Sequence, residues 1–222
     1  MSVSCKWAEK NPILHEYHNL EWGHPIIDSI ELFERLCLQC VAAGGFKGSE
    51  NKKTKEFDID AAQLSVIEAR GLYREKFHNF DPREMCNLTA DDIDSIVESE
   101  MERERESDSD SSFKGLSKNK QKLKALINNA KAFIKMEENG EDFSKFCWSF
   151  TNDKMILGGT NLIDIPKFAS ELSSELKKKG FTYTTPSVCY AFMQSVGIIN
   201  DHSIDCPSRN ECIEEAQIFG KQ

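Results

Sequence analysis

The chain has 222 residues, with 28 Lys and Arg against 37 Asp and Glu and a formal net charge of −9. That length suits one domain, or two small lobes around a shared core, and 39% hydrophobic residues are enough to build it. No apolar run approaches the ~20 residues of a membrane helix, and the N-terminus lacks a charged-then-apolar leader, so the chain reads as soluble and intracellular. The acidic balance argues at first sight against a phosphate-rich partner.

Periodicity along the chain is helical. An apolar face runs through Ile26, Ile27, Ile30, Leu32, Phe33, Leu36 and Cys37, with Pro25 and Asp28 near its start. Leu64 to Phe77 carries a second face. Thr89 with Asp92 three residues on is a capping-box start for Ile93, Ile96 and Val97. Leu123 to Met136 reads as a fourth helix, and Ile165 to Lys179, stopped by Gly180, as a fifth. Thr185-Pro186 opens a sixth, through Tyr190 to Val196. Strand alternation is nearly absent, so the expected class is all-α. Two stretches, 47–60 and 98–113, are polar or charged without an apolar face and read as loop or disordered insertions. The segment 207–222 reads as a C-terminal tail of a single domain, 1–222.

Charge is distributed unevenly. Residues 91–110 hold ten acids and two arginines, a local −8, while residues 111–135 hold seven lysines and no acid. The net figure therefore averages an acidic run with a basic surface, and it does not exclude DNA. The acidic run is expected to compete with phosphate for the neighbouring lysines. Serines within 107–112 would add negative charge there if phosphorylated.

Three groups of residues could carry chemistry. The eight cysteines sit at long spacings without a leader, so reduced core thiols and one or two metal ligands are expected rather than a disulfide framework. Cys5 and His18 near one end, with His202 and Cys206 spaced i,i+4 near the other, would suit tetrahedral zinc; the spacing alone is a weak signal, and core thiols with surface histidines are its commoner reading. Trp7, Tyr17 and Trp22 could stack a planar ligand or simply pack in the core. Gly115-Leu116-Ser117-Lys118-Asn119-Lys120, between two helices, has the form of a helix-hairpin-helix whose N–H groups hold a phosphate, or of an ordinary solvated Lys-rich face.

Taken together, these residues resemble the DNA-3-methyladenine glycosylase I family of the helix-hairpin-helix superfamily. The resemblance rests on Cys5-Lys6-Trp7, Tyr17-His18, Glu21-Trp22-Gly23-His24-Pro25, Tyr73-Arg74, Lys118-Asn119-Lys120, Trp148-Ser149-Phe150, and the block from Tyr190 through Asn200-Asp201-His202 to Cys206. It implies a two-lobed helical fold with a structural zinc on Cys5, His18, His202 and Cys206, joining the chain ends. It also implies a monofunctional, water-using hydrolase that removes alkylated purines such as 3-methyladenine from double-stranded DNA by extruding the base. The chain would act as a monomer in base excision repair, in the nucleus if eukaryotic and otherwise in the cytoplasm. Trp7, Tyr17 and Trp22 would line the base pocket, and Lys118, Asn119 and Lys120 would hold phosphate.

The chain departs from that family at the pocket. Gln39 stands where the family has a base-contacting Glu. The family's stacking Trp falls at Lys47, or at Gln63 if the insertion is placed earlier, with Phe46 as a substitute aromatic. This implies weakened or shifted excision; the alternatives are a catalytically inactive descendant that binds DNA or protein, and a zinc-stapled helical protein without a DNA role.

Overall fold

A computed structural model of the chain describes residues 5–42, 59–106, 115–158 and 165–219. The described residues form α1 (Pro12–Leu20), α2 (Ser29–Ala42), α3 (Ile59–Lys76), α4 (Pro82–Met85), α5 (Ala90–Glu106), α6 (Lys120–Glu138), α7 (Phe143–Ser149), α8 (Ile165–Lys178), α9 (Pro186–Ser195) and α10 (Pro207–Phe219). A two-residue parallel pair, β1 (Ile156–Leu157) with β2 (Ile199–Asn200), is the one departure from helix that alternation did not signal. All six helices expected from periodicity are present. The capping box forms as expected: the Thr89 N–H donates to Asp92 Oδ2 at 2.7 Å, and the Asp92 N–H donates to Thr89 Oγ1 at 3.3 Å.

The centre of the molecule is α2. Every side chain from Leu32 to Ala42 is buried, because α3, α6, α7 and α9 pack around it. Phe33 meets Phe133 and Phe143 at ring-centroid distances of 5.1 and 6.4 Å. Burying each such ring contributes roughly 1.5–3 kcal/mol. A helix enclosed on all sides must satisfy its polar groups internally. Glu34 therefore accepts from Arg74 at 2.8 and 3.2 Å, and Arg35 pairs with Glu21 at 2.7 Å. Lys122 of α6 donates to the Val41 carbonyl at 2.7 Å, tying down the end of α2 that carries Gln39; burial pulls the Lys122 ammonium below its ordinary pKa.

Three expectations are corrected. Residues 98–106, read as a loop, continue α5. Its apolar face Ile93, Ile96 and Val97 extends by one turn to Glu100, which is buried, and Glu and Arg are good helix formers. Residues 59–60, read as part of the first insertion, begin α3, whereas 47–58 and 107–113 lie outside the described residues. The segment read as a tail folds as α10. Pro207 opens it, Cys212 is buried, and Arg209 is fixed by hydrogen bonds to the carbonyls of His202 and Gly158.

Candidate functional site

The chain ends meet at a clamp. Cys5, His18, His202 and Cys206 are all buried, and their donor atoms lie within 4.8 Å of one another. His18 Nε2 is 3.0 Å from His202 Nδ1, and Cys206 Sγ lies 3.6 and 3.7 Å from those two nitrogens. Cys5 Sγ is 3.8 Å from His202 Nδ1. A metal bound at ~2.0–2.3 Å by two nitrogens and two sulfurs in tetrahedral geometry requires separations of about this size.

The outer ring nitrogens are held too. His18 Nδ1 bonds Asn19 Oδ1 at 2.7 Å and His202 Nε2 bonds the Trp22 carbonyl at 2.9 Å, which points the remaining nitrogens inward. Burial, and then the neighbouring His18, push His202 down to about 4, so its imidazole is neutral near pH 7, as a ligand must be. The Ser203 N–H donates to Cys5 Sγ at 3.2 Å. Gly23 has φ +85, and a Cβ there would lie 2.7 Å from His202 Nε2, so the Glu21-Trp22-Gly23 block owes its glycine to the histidine packed on it. Cys212 is 3.7 Å from His202 Nε2, on the outer side of the ring and outside the donor set.

The three aromatics separate. The Trp7 ring meets His18 at 5.4 Å and Trp22 at 5.1 Å, and Trp22 meets His202 at 4.6 Å, so both tryptophans wall the clamp. Tyr17 faces the other way. It lines a small cavity with Gln39 of α2 and Gln63, Arg70 and Val66 of α3. Gln39 is 6% exposed, and its Nε2 donates to Gln63 Oε1 at 3.3 Å. Of the two positions proposed for the missing Trp, the structure therefore brings Gln63 to the cavity. Lys47 and Phe46 lie outside the described residues.

A network that sequence reasoning missed backs this cavity. Glu21 bridges the guanidiniums of Arg35 and Arg70. Burial works to raise Glu21, but the Arg70 hydrogen bond and the two positive charges outweigh it and hold the carboxyl down to about 2. Arg35 also bonds the Tyr17 hydroxyl, which burial nevertheless pushes up to about 12. These contacts join three helices across long sequence gaps, so no local spacing announced them. A larger, mostly apolar groove bounded by Pro25, Ile27, Trp148, Leu157 and Ile213 contains none of the chemically distinctive residues.

The hairpin is built as expected at its second helix. Asn119 caps α6 by accepting from the Gln121 and Lys122 N–H groups at 3.0 and 3.3 Å. The groups expected to face phosphate are engaged by α5. Lys120 pairs with Asp94 at 2.9 Å, Lys118 pairs with Glu104, and the Leu116 N–H donates to Glu100 Oε2 at 2.9 Å. Gly115, at φ +65, lies so close to Glu100 and Arg103 that a Cβ would collide with both.

The helical scaffold, a Cys2His2 clamp on the chain ends and a tyrosine-lined cavity on the central helix define a class that comparison with known proteins identifies. A family model described as methyladenine glycosylase matches residues 7–210. The chain belongs to that family. It is 37% identical over 213 residues to the DNA-3-methyladenine glycosylase of Haemophilus influenzae, covering 94% of this chain and 99% of that one. It is 34% identical over 206 residues to DNA-3-methyladenine glycosylase 1 of Escherichia coli, covering 91% and 94%. Its fold superposes, with a TM-score of 0.73 at 28% identity and coverage of 93% and 97%, on a tyrosine-to-phenylalanine variant of 3-methyladenine DNA glycosylase I in complex with 3-methyladenine. Among the described residues no helix is long and apolar enough to cross a membrane.

Proposed function

We propose that this chain is a monofunctional DNA N-glycosylase that releases 3-methyladenine from duplex DNA, leaving an abasic site. The observation that carries the proposal is the family match over residues 7–210, in a chain that sets Tyr17 and Gln39 side by side at a small cavity on the central helix. Methylation of a ring nitrogen makes the base cationic, so the N-glycosidic bond is already weakened. The protein has to extrude the base and accept its exocyclic amine, and water then takes the place of the base at the sugar carbon. In this reading the Gln39 carbonyl is the acceptor from that amine and Tyr17 lies against the ring. Zinc fits the donor set: two thiolates and two imidazoles in a closed tetrahedron favour zinc over calcium or magnesium. Four protein ligands leave no open position, so the metal would be structural. The test is release of the free base from methylated duplex DNA, followed by chromatography. Release above background is the expected result; none at stoichiometric protein would favour the non-catalytic descendant, a reading that the Gln39–Gln63 pair across the cavity supports.

In the same reading Lys118, Asn119 and Lys120 grip phosphate, against competition from α5. The Lys120–Asp94 and Lys118–Glu104 pairs are exposed, so DNA displaces them at small cost, but the acids still oppose the incoming backbone. Asp94→Asn with Glu104→Gln is expected to tighten duplex binding by roughly three- to tenfold at low salt and to have little effect at high salt, as read by fluorescence anisotropy. Deleting the whole acidic run would be a poorer test, because it would remove Glu100 from the Leu116 N–H. Equal affinity of the double variant and the wild type at low salt would show that phosphate is gripped elsewhere.

A further inference from the structure

An amide side chain has a donor end and an acceptor end of nearly the same size, so its neighbours decide which end a ligand meets. Gln39 is nine-tenths buried at the cavity, and its N–H is taken by Gln63 Oε1. The other polar groups on that wall are the guanidiniums of Arg35 and Arg70, which are donors and offer nothing for an N–H to bond, and the Tyr17 hydroxyl, which Arg35 already engages. Gln63 is thus the group that selects the amide orientation. With its N–H turned to Gln63, Gln39 presents its carbonyl oxygen to whatever enters beside Tyr17.

We propose that Gln63 is a positioning residue that determines specificity: by accepting the Gln39 N–H it turns the Gln39 carbonyl toward the extruded base and so selects purines that carry an exocyclic amino group over those that carry a carbonyl there. The inference rests on the reading of the cavity as the base site. The chemistry is that of the base edge. The amino group of an alkylated adenine donates to a carbonyl, whereas the O6 of an alkylated guanine is an acceptor and meets that carbonyl without a shared proton. A site built to bond one edge leaves buried groups unpaired against the other, and discrimination follows from that mismatch. A carboxylate at this position would make the same selection by charge, with no need of a second residue. An amide makes it only when something holds its orientation.

The experiment measures 3-methyladenine and 7-methylguanine release from the same methylated duplex DNA and takes the ratio of their rates. Gln63→Lys places a donor where the acceptor was, so the Gln39 amide turns over and the ratio should fall at least tenfold. Gln63→Met, which removes the acceptor at similar volume, should give an intermediate ratio. Gln63→Glu still accepts, and should hold the ratio at least tenfold above that of Gln63→Lys. A merely structural role would change both rates together and leave the ratio alone. The charges introduced by Lys and Glu are controlled in a Gln39→Met background, where no amide remains to turn and the two Gln63 variants should give similar ratios. A ratio unmoved by Gln63→Lys, with release intact, would overturn the proposal while leaving the glycosylase reading in place. If the wild type releases no base, that reading fails instead. The orientation is then read from the affinity for free 3-methyladenine, expected to be at least tenfold weaker for Gln63→Lys than for Gln63→Glu; equal affinities would overturn it.

Discussion

Cys206→Ser is expected to abolish metal binding and to lower folding stability by on the order of 3–5 kcal/mol, with a fall in Tm of about 10 °C or more. The clamp joins His18 to His202 across 184 residues and Cys5 to the same histidine across 197, so it closes almost the whole chain into one loop. The four donors come together only in the folded chain, so the metal's binding energy is folding energy, and the variant loses it. The substitution also leaves the remaining buried thiol and imidazoles without the ion that satisfied them. A domain of ordinary stability has only ~5–15 kcal/mol in total, so the effect is a large fraction of it. Atomic emission should find one zinc per wild-type chain and none in the variant, and a strong chelator should reproduce the loss of stability. Cys212→Ser is the control: this thiol touches the outer nitrogen of His202 but is not among the four donors, so metal content should stay at one per chain. A metal-free protein that melts with the wild type would refute the structural role.

Gln39→Glu is expected to raise 3-methyladenine excision about tenfold to a hundredfold, corresponding to ~1–3 kcal/mol. A carboxylate offers a cationic base the negative charge that an amide lacks. The new carboxylate would have no N–H to give Gln63 and would accept from the Gln63 amide N–H in its place. Arg35 and Arg70 line the same cavity and would hold the carboxylate ionised. The gain should be confined to cationic lesions, and release of a neutral base such as hypoxanthine should not rise with it. Single-turnover excision of both lesions by the two proteins checks this. An equal rate on 3-methyladenine would mean that the base does not meet position 39.

Much of this molecule was legible before any coordinates. The six helices from periodicity are present because amphipathic spacing and capping act within three or four residues, as Thr89 and Asp92 do at the start of α5. The four clamp residues were also readable, because family blocks preserve residue identity and order. The end of α5 and the whole of α10 were not. Their composition is charged or polar, and they are helical here because a few buried contacts, Glu100 to the hairpin and Arg209 to the carbonyls of Gly158 and His202, pair groups distant in sequence.

The same distinction separates what the pocket's residues are from what they do. Sequence alone established that this is a helical member of a base-releasing family, and that a basic hairpin lies beside an acidic run. Tertiary structure alone decided that Gln63 meets Gln39 across 24 residues, that Tyr17 faces the cavity while Trp7 and Trp22 face the clamp, and that the hairpin lysines are paired with acids of α5. Local periodicity is written in neighbouring residues, whereas the partner of a buried amide is chosen by which helices pack together, and that depends on the whole core at once.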